Sequence, residues 1–278
     1  MTIDLNQLPA PKVVEELSFE SLVSEHKQAL LNRQPSVANV INLESEPLVK
    51  QLEVFAYREM LIRQRINQAA RSNLLAYAQD TDLDHKGAFY DLARLPNEND
   101  DRYRQRIQYR IASLAGNGTP EHYRLIAMTA SQNVRDSNVY LISPGIVGLV
   151  LWCVDLSLAV STQEAVVAAL SAPNAKPIGI QVVVRVAVQK MIDITATLYR
   201  DEIAPSNIVQ FARNALIDSL RDYAKLGRNI SKSWITAVLQ QPGINRVAFT
   251  SGQPDIHDIE FDEYAVVGQI TIIDGGVE

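Results

Sequence analysis

Between Glu46 and about Gln79 the apolar residues Leu48, Leu52, Phe55, Ile62, Ile66 and Leu74 recur at helical spacing, and only Pro47 at the start interrupts them. The spacing predicts one helix of about 30 residues. Its apolar positions Leu52, Phe55, Ile62 and Ile66 are expected to pack against another helix. Arg58, Arg63, Arg65 and Arg71 are expected to face water or an acidic partner. Before this helix the pattern predicts an arm with one short amphipathic helix around Phe19, Leu22, Val23 and Leu30. After it, residues 81–96 predict a short helix with Leu83, Phe89, Leu92 and Leu95 inward, capped by Asp82 or Asp84 and closed by Pro96. The next helix is predicted to start at Asn97, with Asp100 completing a capping-box-like pair, and Glu98, Asp100 and Asp101 matching the positive end of its dipole. Thr119 and Pro120 predict a further helix start.

From Asn133 the texture changes to strands. Residues 138–142, a Ser143-Pro144-Gly145 turn and residues 146–155 predict two strands, the second apolar on both faces and therefore central in its sheet. Ser161 and Glu164 predict a capped helix that Pro173 stops. Two period-two stretches follow: Ile180, Val182, Val184, Val186 and Val188 share one face, then Ile192, Ile194, Ala196 and Leu198. A long amphipathic helix from Pro205 to near Gly227, a shorter one from Ser231, and two closing strands complete the chain. The predicted class is α+β: a helical N-terminal region with a long helix, followed by one or two small mixed sheet-plus-helix domains. The corresponding division is an N-terminal arm at 1–40, a helical domain at 41–132, and α+β domains at 133–188 and 189–278. The loosely similar element order of the last two suggests a degenerate duplication.

Composition narrows the chemistry. With 26 basic and 32 acidic residues among 278 the net charge is -6, so no global basic field recruits nucleic acid. The start of the chain lacks the pattern of a secretory signal, and the longest apolar run, residues 145–154, is about half of the roughly 20 residues a membrane helix needs. The single cysteine, Cys153, cannot form an internal disulfide and sits inside an apolar strand with no histidine near it in sequence.

Asp82, Asp84 and His85 read as a helix start rather than a metal site. The loop carrying Asp255, His257, Asp258, Glu260, Asp262 and Glu263 lacks the ligand order that wraps calcium. The glycines at 116 and 118 are followed by no Lys-Ser or Lys-Thr, and Ser143, Ser161 and Ser251 lack the Gly-x-Ser-x-Gly elbow. No catalytic, cofactor-binding or metal-binding residue is assigned, and no cofactor is expected.

One feature of the predicted helix at 97–114 asks for a partner. Tyr103, Ile107, Ile111 and Leu114 form an apolar strip, and Arg102, Arg106 and Arg110 run along its margin at i, i+4 and i+8. Glu98 can serve Arg102 and Asp100 can serve Arg104, which leaves Arg106 and Arg110 without a local acid. Either the stripe is a solvated face with intrachain ion pairs, or it meets another subunit. On the second reading Arg102, Arg106 and Arg110 are the candidate interface residues, and reversing Arg106 and Arg110 should impair assembly without unfolding the subunit.

The residues Leu83, Asp84, Leu92, Ala93 and Arg94, followed by an acidic pair, Arg104 and the Arg106-Ile107 step, resemble the signature of the baseplate J-like family of contractile-tail phages and phage-derived bacteriocins. The Gly-Thr-Pro helix start at 118–120, the Val-x-Asp entry at 134–136, the Pro-Gly turn at 144–145 and the segment 226–247 resemble the family in the same order, so the likeness runs from about residue 40 to the end.

The resemblance implies a non-enzymatic wedge subunit of the tail baseplate, made in the bacterial cytoplasm and carried in the tail of the particle. It implies partners too: a second copy within a wedge, a ring of wedges around the hub, a smaller wedge protein, and contacts to hub and sheath-initiating proteins. Neither nucleic acid nor membrane is among them. The ring would transmit the signal for sheath contraction. The competing reading is a cytosolic α/β enzyme whose site carries no familiar motif.

Overall fold

Helices occupy the chain up to residue 130 and strands begin at residue 134, the switch that the hydrophobic pattern predicts. The computed structural model describes residues 8, 9, 11, 13–173, 175–205 and 207–278; the first seven residues of the predicted arm lie outside them. The helices are α1 (Phe19–Arg33), α2 (Pro47–Ser72), α3 (Asp80–Phe89), α4 (Asp100–Ser113), α5 (Pro120–Ala130), α6 (Ala159–Leu170), α7 (Ile208–Tyr223) and α8 (Lys232–Leu239). The strands are β1 (Val134–Ser143), β2 (Ile146–Cys153), β3 (Gln181–Val186), β4 (Val188–Arg200), β5 (Ile230–Ser231), β6 (Ile244–Phe249), β7 (Ile256–His257) and β8 (Glu263–Val277). The class is α+β.

The chain forms two compact units, residues 1–108 and 109–278. In the first, α1 packs along α2, and Leu22, Val49, Leu52 and Ala56 are buried. His26 and Arg63 both reach Glu59, at 2.9 and 2.6 Å, which ties the two helices through one carboxylate. The helix α2 has 26 residues rather than about 30. Beyond Ser72 the chain turns back on itself, with Ser72 and Asn73 both donating side-chain hydrogen bonds to the Ala69 carbonyl.

In the second unit β2 is central, antiparallel to β1 and parallel to β3, with α6 as the crossover. The long strand β4 is likewise central, antiparallel to β6 and parallel to β8. The predicted face Ile192, Ile194, Ala196 and Leu198 is buried throughout. It packs with Ile208, Ala212, Leu216 and Leu220 of α7, four positions spaced four apart on one side of the helix. Val150 and Trp152 of β2 belong to the same core, so both sheets share it.

Several helix boundaries differ from the sequence reading, each for a local reason. The α3 helix begins at Asp80, so Asp82 and Asp84 lie within it and cap nothing. For α4 the cap is Asn99, whose Oδ1 accepts from the Arg102 N–H at 2.9 Å, while Asn97 takes a left-handed conformation at φ 58° in the preceding turn. No Ser161–Glu164 capping box forms. A 3-10 turn over Leu156–Leu158, capped by Asp155, leads into the helix and moves its cap three residues forward, from Ser161 to Leu158, and Ser161 Oγ donates to the Leu158 carbonyl inside the first turn. By contrast Thr119 caps as predicted, accepting from His122 N, and Ser231, where a helix was expected to begin, is the cap of α8 and accepts from Trp234 N.

In β1 the side chain of Asp136 keeps some surface in solvent, but its carboxylate is enclosed by protein. Burial raises its pKa, and the Ser137 N–H together with the positive charges of Arg124, Lys225 and Arg135 offsets only part of that. A carboxyl whose folded pKa exceeds its unfolded value, about 3.9, adds stability below the unfolded value and loses it as pH rises through the folded one. Asp136→Asn should therefore unfold at higher denaturant than the parent at pH 7, with the gap closing towards pH 4. A parent that is the more stable at pH 7 would show that the charge is welcome there.

Candidate protein interface

One face of α2 carries apolar side chains that stay more than half exposed among the described residues. Phe55, Ile62 and Ile66 are 53, 62 and 56 % exposed, and Val54 and Leu61 flank them. At 100° per residue the first three fall within about 40° of one another, so they form a stripe along the helix. Of the four residues expected to pack against a helix, only Leu52 is buried by the chain itself. The reason is geometric: α1 covers the side of α2 that bears Val49, Leu52 and Ala56, and the stripe points elsewhere. Phe89, expected inward, is 83 % exposed, because α3 ends there and the chain reverses through Asp91 at φ 54°.

The arginines of α4 are organised by one buried acid, Glu98. Its side chain is 0 % exposed. The loop before α4 turns it back onto the helix, where Oε2 accepts from Leu95 N at 3.0 Å and from Arg106 Nη1 at 2.6 Å, and Oε1 accepts from Arg102. Arg106, read from sequence as lacking a local acid, is thus 1 % exposed and paired. The i+8 separation hid this, because Glu98 precedes the helix and is not bound by along-helix spacing. Burial lowers the pKa of Arg102; Glu98 opposes that effect and the neighbouring Arg106 adds to it.

Arg94 forms a second node. Burial acts against its charge, yet Asp84 at 2.6 Å and Asp100 at 2.7 Å outweigh it and raise the pKa. It also donates to the backbone carbonyls of Glu98 and Asp80, and its guanidinium lies 4.7 Å from the centre of the Tyr103 ring. Tyr103 donates to the Leu92 carbonyl at 2.6 Å. Asp100 therefore serves Arg94 and not Arg104, and its pKa is lowered first by the Asp80 N–H and then by Arg94, against the cost of burial. Arg104 pairs instead with Asp101, and donates to the carbonyls of Leu75 and Ala78 that follow α2. Arg110 lies in the last turn of α4, where a cation favours the negative end of the dipole. Of the predicted apolar strip, Tyr103 and Ile107 are buried, while Ile111 and Leu114 are exposed.

In the acidic loop Asp255 pairs with Lys232 from a side chain that is 91 % exposed, and Glu263 pairs with Lys190, while Asp84, within α3, pairs with Arg94. Among the described residues no group of three or more histidines, cysteines and carboxylates is placed to hold a metal ion.

Residues 44–101 match the Baseplate J-like N-terminal domain. Over 280 aligned residues the chain is 38 % identical to Baseplate protein J of Escherichia phage P2, an alignment that covers 91 % of this chain and 92 % of that protein. The chain belongs to the baseplate J-like family. It is accordingly a structural protein of the phage tail baseplate. The stretch matching the family domain spans α2 and α3 and ends at Asp101, so it includes the exposed stripe, Arg94 and Glu98. A baseplate J-like protein with an uncovered helix face in its matched domain offers a surface for association.

Proposed function

We propose that the chain is a non-enzymatic wedge subunit that pairs with a second copy of itself and with a smaller wedge protein, and that the resulting ring surrounds the hub and relays the signal for sheath contraction. The observation that carries this reading is the apolar stripe of α2, where Phe55, Ile62 and Ile66 stay more than half exposed. An apolar face of this length on a helix is ordinarily buried, and a second chain is the cover proposed here. Arg102, Arg106 and Arg110 of α4 stay candidate contact residues in this reading, with Arg106 acting from beneath Arg102 by fixing Glu98.

The reading is tested by sedimentation of the purified chain, alone and co-expressed with the other tail proteins, and by electron microscopy of tails carrying a label on this chain. Self-association, co-purification with tail components and label at the baseplate are the expected results. A monomer that stays monomeric in the presence of the other tail proteins overturns the wedge assignment, as does label along the sheath.

A further inference from the structure

In the second unit a cleft of about 340 Å³ opens between the end of β2, the C-terminal turn of α7 and the β8 segment Ala265–Val267. Its floor is a stack of three side chains. The Arg135 guanidinium lies 4.3 Å from the centre of the Trp152 ring, and Tyr264 stacks on Trp152 at 4.6 Å with the rings 28° apart. Arg135 also donates to the Arg221 carbonyl at 3.4 Å, which leaves further N–H groups of the same guanidinium available.

Two features define what such a cleft would accept. Arg135 and Arg221 are the only lining residues charged at neutral pH, and no carboxylate lines it, although the chain as a whole carries a net charge of -6. The Cys153 thiol in the wall stays protonated, since burial raises its pKa. Asp218 approaches Arg221 at 3.6 Å, but both are well exposed, so that pair exchanges readily with a competing acid. The second feature is the backbone. The strand order β6-β4-β8 places β8 at the edge of its sheet, and residues of that edge strand form one wall. An edge strand in a cleft can accept an extended chain as an added strand, with side-chain contacts supplying selectivity.

We propose that this cleft docks an extended, acidic segment of another protein, its backbone running along β8 and its carboxylates meeting Arg135 and Arg221. This site is separate from the α2 stripe and does not rest on the wedge reading. Trp152 and Tyr264 are only 6 and 4 % exposed, so they support the Arg135 guanidinium from beneath, and the contacts to a partner fall to Arg135, Arg221 and the β8 backbone.

Trp152 provides the readout in a full-length Trp234→Phe background, where it is the remaining tryptophan. The probe is acetyl-Glu-Val-Glu-Val-Glu-amide, with two twins: one with Gln for every Glu, and one with Pro for every Val. A saturable change in Trp152 fluorescence is expected with the first peptide, at least tenfold weaker with each twin. Arg221→Gln, a change at a largely exposed side chain, should weaken the acidic peptide severalfold and leave the Gln twin unaffected. Arg135→Gln tests the member of the pair that lies over Trp152, with circular dichroism confirming that the fold is retained. No saturable response to the acidic peptide, or an equal response to the Gln twin, overturns the proposal. An equal response to the Pro twin overturns the strand-addition geometry.

Discussion

Glu98→Ala is expected to unfold the first unit at a denaturant concentration where the parent is still native, with a loss of about 3–5 kcal/mol. The substitution removes the acceptor of three donors, the Leu95 N–H and the guanidinium groups of Arg102 and Arg106. It leaves Arg106 charged at 1 % exposure without its paired carboxylate, and a neutral acceptor such as the Ala93 carbonyl at 3.4 Å does not replace an opposing charge. The two units can be followed separately, because both tryptophans, Trp152 and Trp234, lie in the second. Far-ultraviolet circular dichroism should therefore lose amplitude early while tryptophan fluorescence keeps its parental midpoint.

Asp101→Ala serves as the control. That acid pairs with Arg104 from a side chain that is 94 % exposed, and its removal should change stability by no more than about 0.5 kcal/mol. A loss below about 1 kcal/mol for Glu98→Ala would show that Arg102 and Arg106 find other acceptors. The same geometry changes what Arg106→Glu does. A second carboxylate would be buried against Glu98, so this substitution is expected to unfold the unit rather than to weaken an interface on a folded one.

What could be read from the residues depended on whether the signal was periodic. The β4 face was legible because four apolar side chains at period two need only one covered surface, and α7 supplies it at period four. The helical first unit, the switch near Asn133, the cap at Thr119 and the helix start at Ser231 were legible because each is set by residues adjacent in the chain.

The Glu98 node was not. It exists because the turn through Asn97, at φ 58°, folds an acid from before the helix onto arginines one and two turns into it, a placement that helical spacing cannot express. Phe89 was misplaced because a chain reversal at Asp91 ends the helix that would have turned it inward. Family membership was legible as an ordered series of weak motifs, and the alignment with the phage P2 protein covers 91 % of the chain. The α2 stripe is a mixed case. Its period announces an apolar face, while only the structure shows that α1 covers Val49, Leu52 and Ala56 and leaves Phe55, Ile62 and Ile66 more than half exposed.

That unmet need yields the largest expected effect on assembly. Phe55→Glu combined with Ile62→Glu places two carboxylates on the exposed stripe, one turn pair apart, where neither touches the buried side at Val49, Leu52 and Ala56. In the isolated chain both sites are more than half exposed, so unfolding midpoints should move by no more than about 0.5 kcal/mol per site. In an assembled contact the same groups would be buried without partners, at a cost of about 1–3 kcal/mol each by the mutational scale and more for a full charge. Two such charges correspond to at least about a hundredfold loss in association. The doubly substituted chain should stay folded and fail to enter tails in a complementation assay. Tails of parental yield would mean that the stripe faces solvent in the particle and that the subunit assembles through other surfaces. If instead the variant unfolds on its own, the stripe is part of the first unit's own core. Comparing Phe55→Ser with Ile62→Ser separates the two readings further: a polar but neutral side chain should weaken assembly less than Glu does if a partner covers the stripe, because a hydroxyl is cheaper to bury than a carboxylate.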